Sequence, residues 1–115
     1  MPIKILAADD DRAMLSLYAR IFSSTGYTVS TAETFAEASA LLRGNDYDLL
    51  LTDLMFPDGM GTELIKIFSS MKTGAKSLLV TGSTQAIEKL DVSQSYMEKP
   101  FKTEHLLEAV NKMLA

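Results

Sequence analysis

The stretch Tyr47-Asp-Leu-Leu-Leu-Thr-Asp53-Leu-Met-Phe-Pro-Asp-Gly-Met-Gly61 decides the fold. Its consecutive leucines, Leu49, Leu50 and Leu51, leave no polar face, as in a strand covered by protein on both sides. The apolar run stops at Asp53, and Pro57, Asp58 and Gly59 then supply a turn composition.

Working outward, Ile3 to Ala8 is a second continuous apolar run, broken only by Lys4. Met14, Leu17, Tyr18, Ile21 and Phe22 follow at helical spacing, and Gly26 is the expected helix stop. Tyr27 to Thr31 alternates apolar and polar residues, which suits an edge strand. Thr34-Phe-Ala-Glu37 has the capping-box pattern and opens a helix carrying Phe35, Ala38, Leu41 and Leu42 that ends at Gly44. On the other side, Leu64, Ile65, Phe68 and Met71 mark a third helix, and Ser77 to Thr81 is another buried strand. A short fourth helix is expected over 84–91 and a short strand from Ser95 to Glu98. Lys99-Pro100-Phe101 breaks the pattern, and Thr103 is the expected cap of a last helix with Leu106, Leu107, Val110, Met113 and Leu114 on one face.

Five strands thus alternate with five helices. Strands joined by helical crossovers run parallel, and the crossovers are right-handed. The expected architecture is a doubly wound α/β sandwich. The second and fifth runs are the least apolar and suit edges, which gives strand order 2-1-3-4-5. In such a sheet ligands bind outside the carboxyl ends of the strands.

The composition narrows the chemistry. The 115 residues make one domain, read as a single unit over 1–115. There is no cysteine and one histidine, His105, so a disulfide scaffold, a thiolate zinc site, a cysteine nucleophile and a His-rich metal site are excluded. A net charge of −4 argues against direct nucleic-acid binding. The apolar runs fall far short of the ~20 residues that span a bilayer, and Asp9-Asp10-Asp11 cuts the first one too short for a secretory signal. The sequence reads as a cytoplasmic protein without a membrane partner.

The strand ends carry the chemistry. Asp9, Asp10 and Asp11 follow the first strand, Asp53 the third, Thr81 the fourth and Lys99 the fifth. Setting Asp9, Asp10, Asp11 and Asp53 aside leaves eleven acids against eleven bases, so the charge excess equals this one cluster. Crowded carboxylates raise one another's pKa, and a hard divalent cation relieves the repulsion. An all-oxygen donor set points to Mg²⁺. A cation, a lysine and a hydroxyl around a carboxylate form a phosphate-handling set, with the carboxylate as ligand or nucleophile. Asp11 stands where the first helix starts and reads as its N-cap. A core aromatic is an alternative reading of Tyr96, and His105 reads as a surface residue.

Four stretches in order, Ile5-Leu-Ala-Ala-Asp9-Asp10-Asp11, Asp48 through Gly61, Leu78-Leu-Val-Thr81-Gly82 and Tyr96-Met-Glu-Lys99-Pro100-Phe101, resemble the receiver domain of bacterial response regulators over the whole chain. The resemblance implies a flavodoxin-like fold and a switch in a two-component phosphorelay. It implies Asp53 as phosphoacceptor, with Asp10 and Asp53 binding Mg²⁺ through side chains, Met55 through its backbone carbonyl and Asp9 through water. It further implies Lys99 on a phosphoryl oxygen, a cis Lys99–Pro100 bond, and Thr81 swinging toward the phosphoryl group while the Tyr96 ring moves inward. Met55 and Ser83 occupy the positions that tune phosphoryl lifetime, and a methionine cannot orient a water, so self-hydrolysis should be moderate to slow. The implied partners are a sensor histidine kinase or histidine phosphotransfer protein, a downstream effector or linked output domain met through the fourth helix, fifth strand and last helix, and a weak homodimer. The domain is either stand-alone or part of a larger regulator.

The chain departs from the family pattern between Thr81 and Tyr96, where Leu90-Asp-Val-Ser-Gln-Ser95 replaces the usual Gly-Ala pair and the fourth helix is shortened. That weakens any transfer of partner mode or of a symmetric dimer across that face. A competing reading is an aspartate-nucleophile phosphohydrolase of the haloacid-dehalogenase type using Asp9 and Asp11 as Asp-x-Asp. It leaves Asp53 unexplained and lacks a later acidic pair and a cap domain. A third is a receiver-like interaction module that is not phosphorylated, which would have a broken acidic set.

Overall fold

The computed structural model describes residues 2–82 and 94–115. The elements run β1 (Lys4–Ala8), α1 (Arg12–Phe22), β2 (Thr28–Ala32), α2 (Phe35–Gly44), β3 (Leu49–Thr52), β4 (Met55–Phe56), β5 (Gly59–Met60), α3 (Gly61–Met71), β6 (Lys76–Thr81), β7 (Tyr96–Glu98) and α4 (Thr103–Leu114). The five long-range strands form one parallel sheet in the order β2-β1-β3-β6-β7, which is the expected 2-1-3-4-5. The helix expected over 84–91 lies outside the described residues.

Strand side chains alternate faces, so a run of leucines feeds two cores. Ile5, Ala7, Leu49, Leu51, Leu78 and Val80 pack under α1 and α4, against Tyr18, Phe22, Leu106 and Val110. Leu6, Ala8 and Leu50 face the other way, against Ala38 and Leu42 of α2 and Leu64 and Phe68 of α3. Leu49, Leu50 and Leu51 are all fully buried. Truncating any of them to alanine costs about 2–5 kcal/mol. The edge strands β2 and β7 are partly exposed, as their mixed composition requires.

Helix termini follow local chemistry, with two corrections. Asp11 caps α1 by accepting the Ala13 N–H at 2.9 Å. Thr34 caps α2 by accepting the Glu37 N–H at 3.0 Å, and the Glu37 carboxylate returns a bond to the Glu33 N–H at 2.9 Å. Helix α1 stops at Phe22, ahead of Gly26. The hydroxyls of Ser23 and Thr25, each donating at 2.7 Å to the carbonyls of Arg20 and Phe22, close its last turn, so no glycine stop is needed. Thr103 is the first residue of α4 rather than its cap; the cap position is Lys102, which makes no side-chain capping bond. The segment after β3, expected as a plain turn, contains a two-residue antiparallel hairpin pairing Met55 with Met60 and Phe56 with Gly59.

Candidate functional site

The sheet delivers the predicted residues to one rim through register. Ala8 of β1 is level with Thr52 of β3, so Asp9 and Asp53 leave adjacent strands side by side. The backbone continues the ladder briefly, with the Asp53 N–H donating to the Ala8 carbonyl at 3.0 Å and the Asp9 N–H to the Ala32 carbonyl at 3.0 Å. On the far side, the Lys99 N–H donates to the Thr81 carbonyl at 2.9 Å, which fixes where the lysine leaves β7. The Lys99–Pro100 bond is cis.

The side chains converge from there. One carboxylate oxygen from each of Asp9, Asp10 and Asp53 lies within 4.8 Å of the others. Asp9 is fully buried, Asp53 partly buried and Asp10 exposed, so the cluster opens to solvent on the Asp10 side. Lys99 Nζ reaches in to 2.7 Å from Asp9 Oδ2 and 3.6 Å from Asp53 Oδ2. The other Asp9 oxygen accepts the Asp11 N–H at 2.9 Å. One lysine thus faces three carboxylates, and the surplus of negative charge suits an added cation. Three oxygen donors without a nitrogen or sulfur ligand fit Mg²⁺ by donor type.

Burial raises the pKa of Asp53, and the nearby Asp9 and Asp10 carboxylates add to it; Lys99 and the Leu54 N–H, which donates to Asp53 Oδ1 at 2.8 Å, work against the rise. Burial opposes the charge on Lys99, but the hydrogen bond and charge of Asp9, joined by Asp53, outweigh it and hold the ammonium above its ordinary value. The lysine is therefore a fixed positive charge across the neutral range.

The Asp53 backbone is held as firmly as its side chain. Thr52 Oγ1 donates to the Asp53 carbonyl at 2.9 Å, and the Gly61 N–H donates to the Leu54 carbonyl at 2.6 Å. A methyl group on Gly61 would run into the Asp53 carbonyl, so only glycine lets the start of α3 approach so closely. Thr81 is buried at the end of β6. Met55 is 59% exposed, and Tyr96 is 52% exposed on the edge strand, so it is not a core aromatic. Ser83 lies outside the described residues.

Asp11 does not join the cluster. Its carboxylate serves α1, so the Asp9/Asp11 pair needed for a haloacid-dehalogenase nucleophile and acid is not assembled. Asp9 is also sealed against Lys99 rather than presented to a substrate.

Two residues near the site escaped the sequence reading. Tyr18, read there as a helix-core aromatic, is buried in α1 and stacks on Phe101 with ring centroids 6.3 Å apart, and burial together with the Asp9 and Asp53 charges pushes its hydroxyl pKa up. Its helical spacing gave no hint of proximity to the acids. Asp58, read as turn chemistry, instead reaches α2, where Oδ1 accepts the Phe35 N–H at 2.9 Å and Oδ2 the Ala36 N–H at 3.0 Å.

The response regulator receiver domain pattern matches residues 5–111. The chain belongs to that family. The response regulator MprA of Mycobacterium sp. (strain KMS) is 33% identical across 99% of this chain and 51% of its own length. The response regulator SaeR of Staphylococcus aureus (strain USA300) is 27% identical across 96% and 50%. The receiver domain therefore spans about half the length of the curated relatives it matches. Among solved structures, a CheY-like receiver domain protein from Methanospirillum hungatei JF-1 superposes with a TM-score of 0.89 at 32% identity, covering 99% of this chain and 94% of that one. The Thermotoga maritima response regulator TrrA, solved in complex with Mg(2+)-BeF, gives a TM-score of 0.88 at 29% identity, with 97% and 99% covered. No helix among the described residues is long and apolar enough to cross a membrane.

Proposed function

We propose that this receiver domain, one unit over 1–115, is a phosphorylation-dependent switch of a two-component phosphorelay, and that Asp53 accepts the phosphoryl group. The observation that carries the reading is the presentation of Asp53 at the sheet rim, beside two further aspartates and within 3.6 Å of Lys99. Asp53 is partly exposed, whereas Asp9, the other carboxylate near Lys99, is fully buried. Only one of the two is open to an incoming donor.

An oxygen of Asp53 attacks the phosphorus of a partner phosphohistidine. The O–P bond forms as the N–P bond breaks, and the imidazole leaves with the bonding electron pair. Lys99 then lies where it pairs with a phosphoryl oxygen, and the Thr81 hydroxyl donates to another. Asp10 and Asp53 would hold Mg²⁺ through side chains, Met55 through its backbone carbonyl and Asp9 through a water. Bound there, the cation neutralises charge on the transferring oxygens. The Thr81 movement would draw the exposed Tyr96 ring inward and change the surface presented to a downstream effector or linked output domain. Met55 and Ser83 would set how long the phosphoryl group survives.

The donor is a sensor histidine kinase or histidine phosphotransfer protein, the setting is the cytoplasm, and no external substrate is turned over. Incubation with Mg²⁺ and a small phosphodonor, followed by intact-mass measurement, tests the reading. Wild type gains one phosphoryl group, and Asp53→Asn gains none. Modification of Asp9, or steady hydrolysis of a generic phosphate ester, would instead favour the phosphohydrolase.

A further inference from the structure

The β4–β5 hairpin is two residues long on each side, too short to hold its own shape. It is pinned at both ends. At its base the Gly61 N–H meets the Leu54 carbonyl at 2.6 Å. At its tip the Asp58 carboxylate takes the Phe35 and Ala36 N–H groups at 2.9 and 3.0 Å. The next residue, Gly59, sits so close to Phe35 that an added Cβ would come within 2.5 Å of the ring, so the side chain lies directly against hairpin backbone. The helix has its own cap in Thr34, which takes the Glu37 N–H at 3.0 Å. Thr34 belongs to the helix alone, whereas Asp58 joins the helix to the hairpin that carries Met55. The two N–H donors hold the Asp58 carboxyl below its ordinary range, so the clamp stays ionised further into acid than a free aspartate would.

We propose that Asp58 is a positioning residue: by clamping the β4–β5 hairpin to the N-terminus of α2, it holds the Met55 backbone in register with Asp10 and Asp53 and so sets the affinity of the site for its divalent cation. This rests on the function proposed above, both in reading the acidic cluster as a cation site and in taking the Met55 carbonyl as one of its ligands. A carboxylate that orients a ligand without touching the metal commonly changes affinity by tenfold or more when removed.

The test compares Asp58→Ala and Asp58→Asn with Thr34→Ala, which removes one bond from the same helix end and leaves the hairpin alone. Mg²⁺ binding is titrated by NMR, and amide exchange at Met55 and Met60 is measured in the metal-free protein. Asp58→Ala should bind Mg²⁺ about tenfold more weakly. Asp58→Asn, keeping one side-chain oxygen, should fall between it and wild type, and Thr34→Ala should match wild type. Wild-type Mg²⁺ affinity in Asp58→Ala, or an equal loss in Thr34→Ala, overturns the clamp. If wild type itself does not bind Mg²⁺, the cation reading fails instead, and the exchange data decide the clamp: Met55 and Met60 exchanging no faster in Asp58→Ala than in wild type overturn it.

Discussion

Asp53 and Asp58 lie in the same loop and carry the same group, yet the protein holds them in opposite ways. Asp53 is partly buried among like charges, and its carboxyl is pushed up from 3.8. Asp58 is exposed and faces two backbone N–H donors, and its carboxyl is pulled down from 3.8. What an aspartate faces decides its use. The first carries unrelieved charge that a cation or phosphoryl group can exploit, and the second is already satisfied and serves as a tie.

The largest expected break in this comparison is chemical. Asp53→Asn should abolish phosphoryl uptake, whereas Asp58→Asn should keep it, both read by intact mass after exposure to a small phosphodonor with Mg²⁺. Next comes the countercharge. Replacing Lys99 with methionine leaves Asp9 buried without its cation, and removing one partner of a buried pair costs about 3–5 kcal/mol. Lys99 is 19% exposed, so the lower end is expected, measured by urea denaturation without metal. Gly61→Ala attacks the Asp53 backbone and should cost about 1–3 kcal/mol, while Gly26→Ala, which meets no neighbour within 4 Å, should be close to neutral.

Much of this was legible in the sequence. The triple leucine fixed a buried central strand, the weak apolar character of Tyr27–Thr31 and Ser95–Glu98 marked the edges, and the strand ends pointed to Asp9, Asp10, Asp53, Thr81 and Lys99. These signals are local and periodic. The Asp58 clamp was not legible, because Pro57-Asp58-Gly59 satisfies turn chemistry by itself and its bond to Phe35 depends on tertiary packing. Tyr18 was hidden for the same reason: helical spacing says that it is buried, but not that it lies near the acids. The stop at Phe22 was missed because serine and threonine hydroxyls did the work assigned to Gly26.

The smallest effects sharpen the comparison through pH. A raised pKa in the folded state means that the fold binds more protons than the unfolded chain, so Asp53 costs stability as pH rises from 3.8 through its raised value. Asp53→Asn should therefore raise the metal-free Tm at pH 7, and the gain should fade toward pH 4. Asp58 has the opposite sign. Its contribution is present above 3.8 and is lost as pH falls through its lowered value, so Asp58→Asn should flatten the acid limb of a thermal melt series. Equal pH profiles for the two variants would remove the distinction.

The most direct test of Asp53 as acceptor is an NMR titration of the metal-free protein with Mg²⁺ and then beryllofluoride, a phosphoryl mimic. The expected result is a saturable shift at Asp53 with Mg²⁺ alone, then further saturable shifts at Asp53, Thr81, Tyr96 and Lys99 that require both additions and vanish in Asp53→Asn. The same shifts persisting in Asp53→Asn, or centring on Asp9 with Asp53 unmoved, would contradict it.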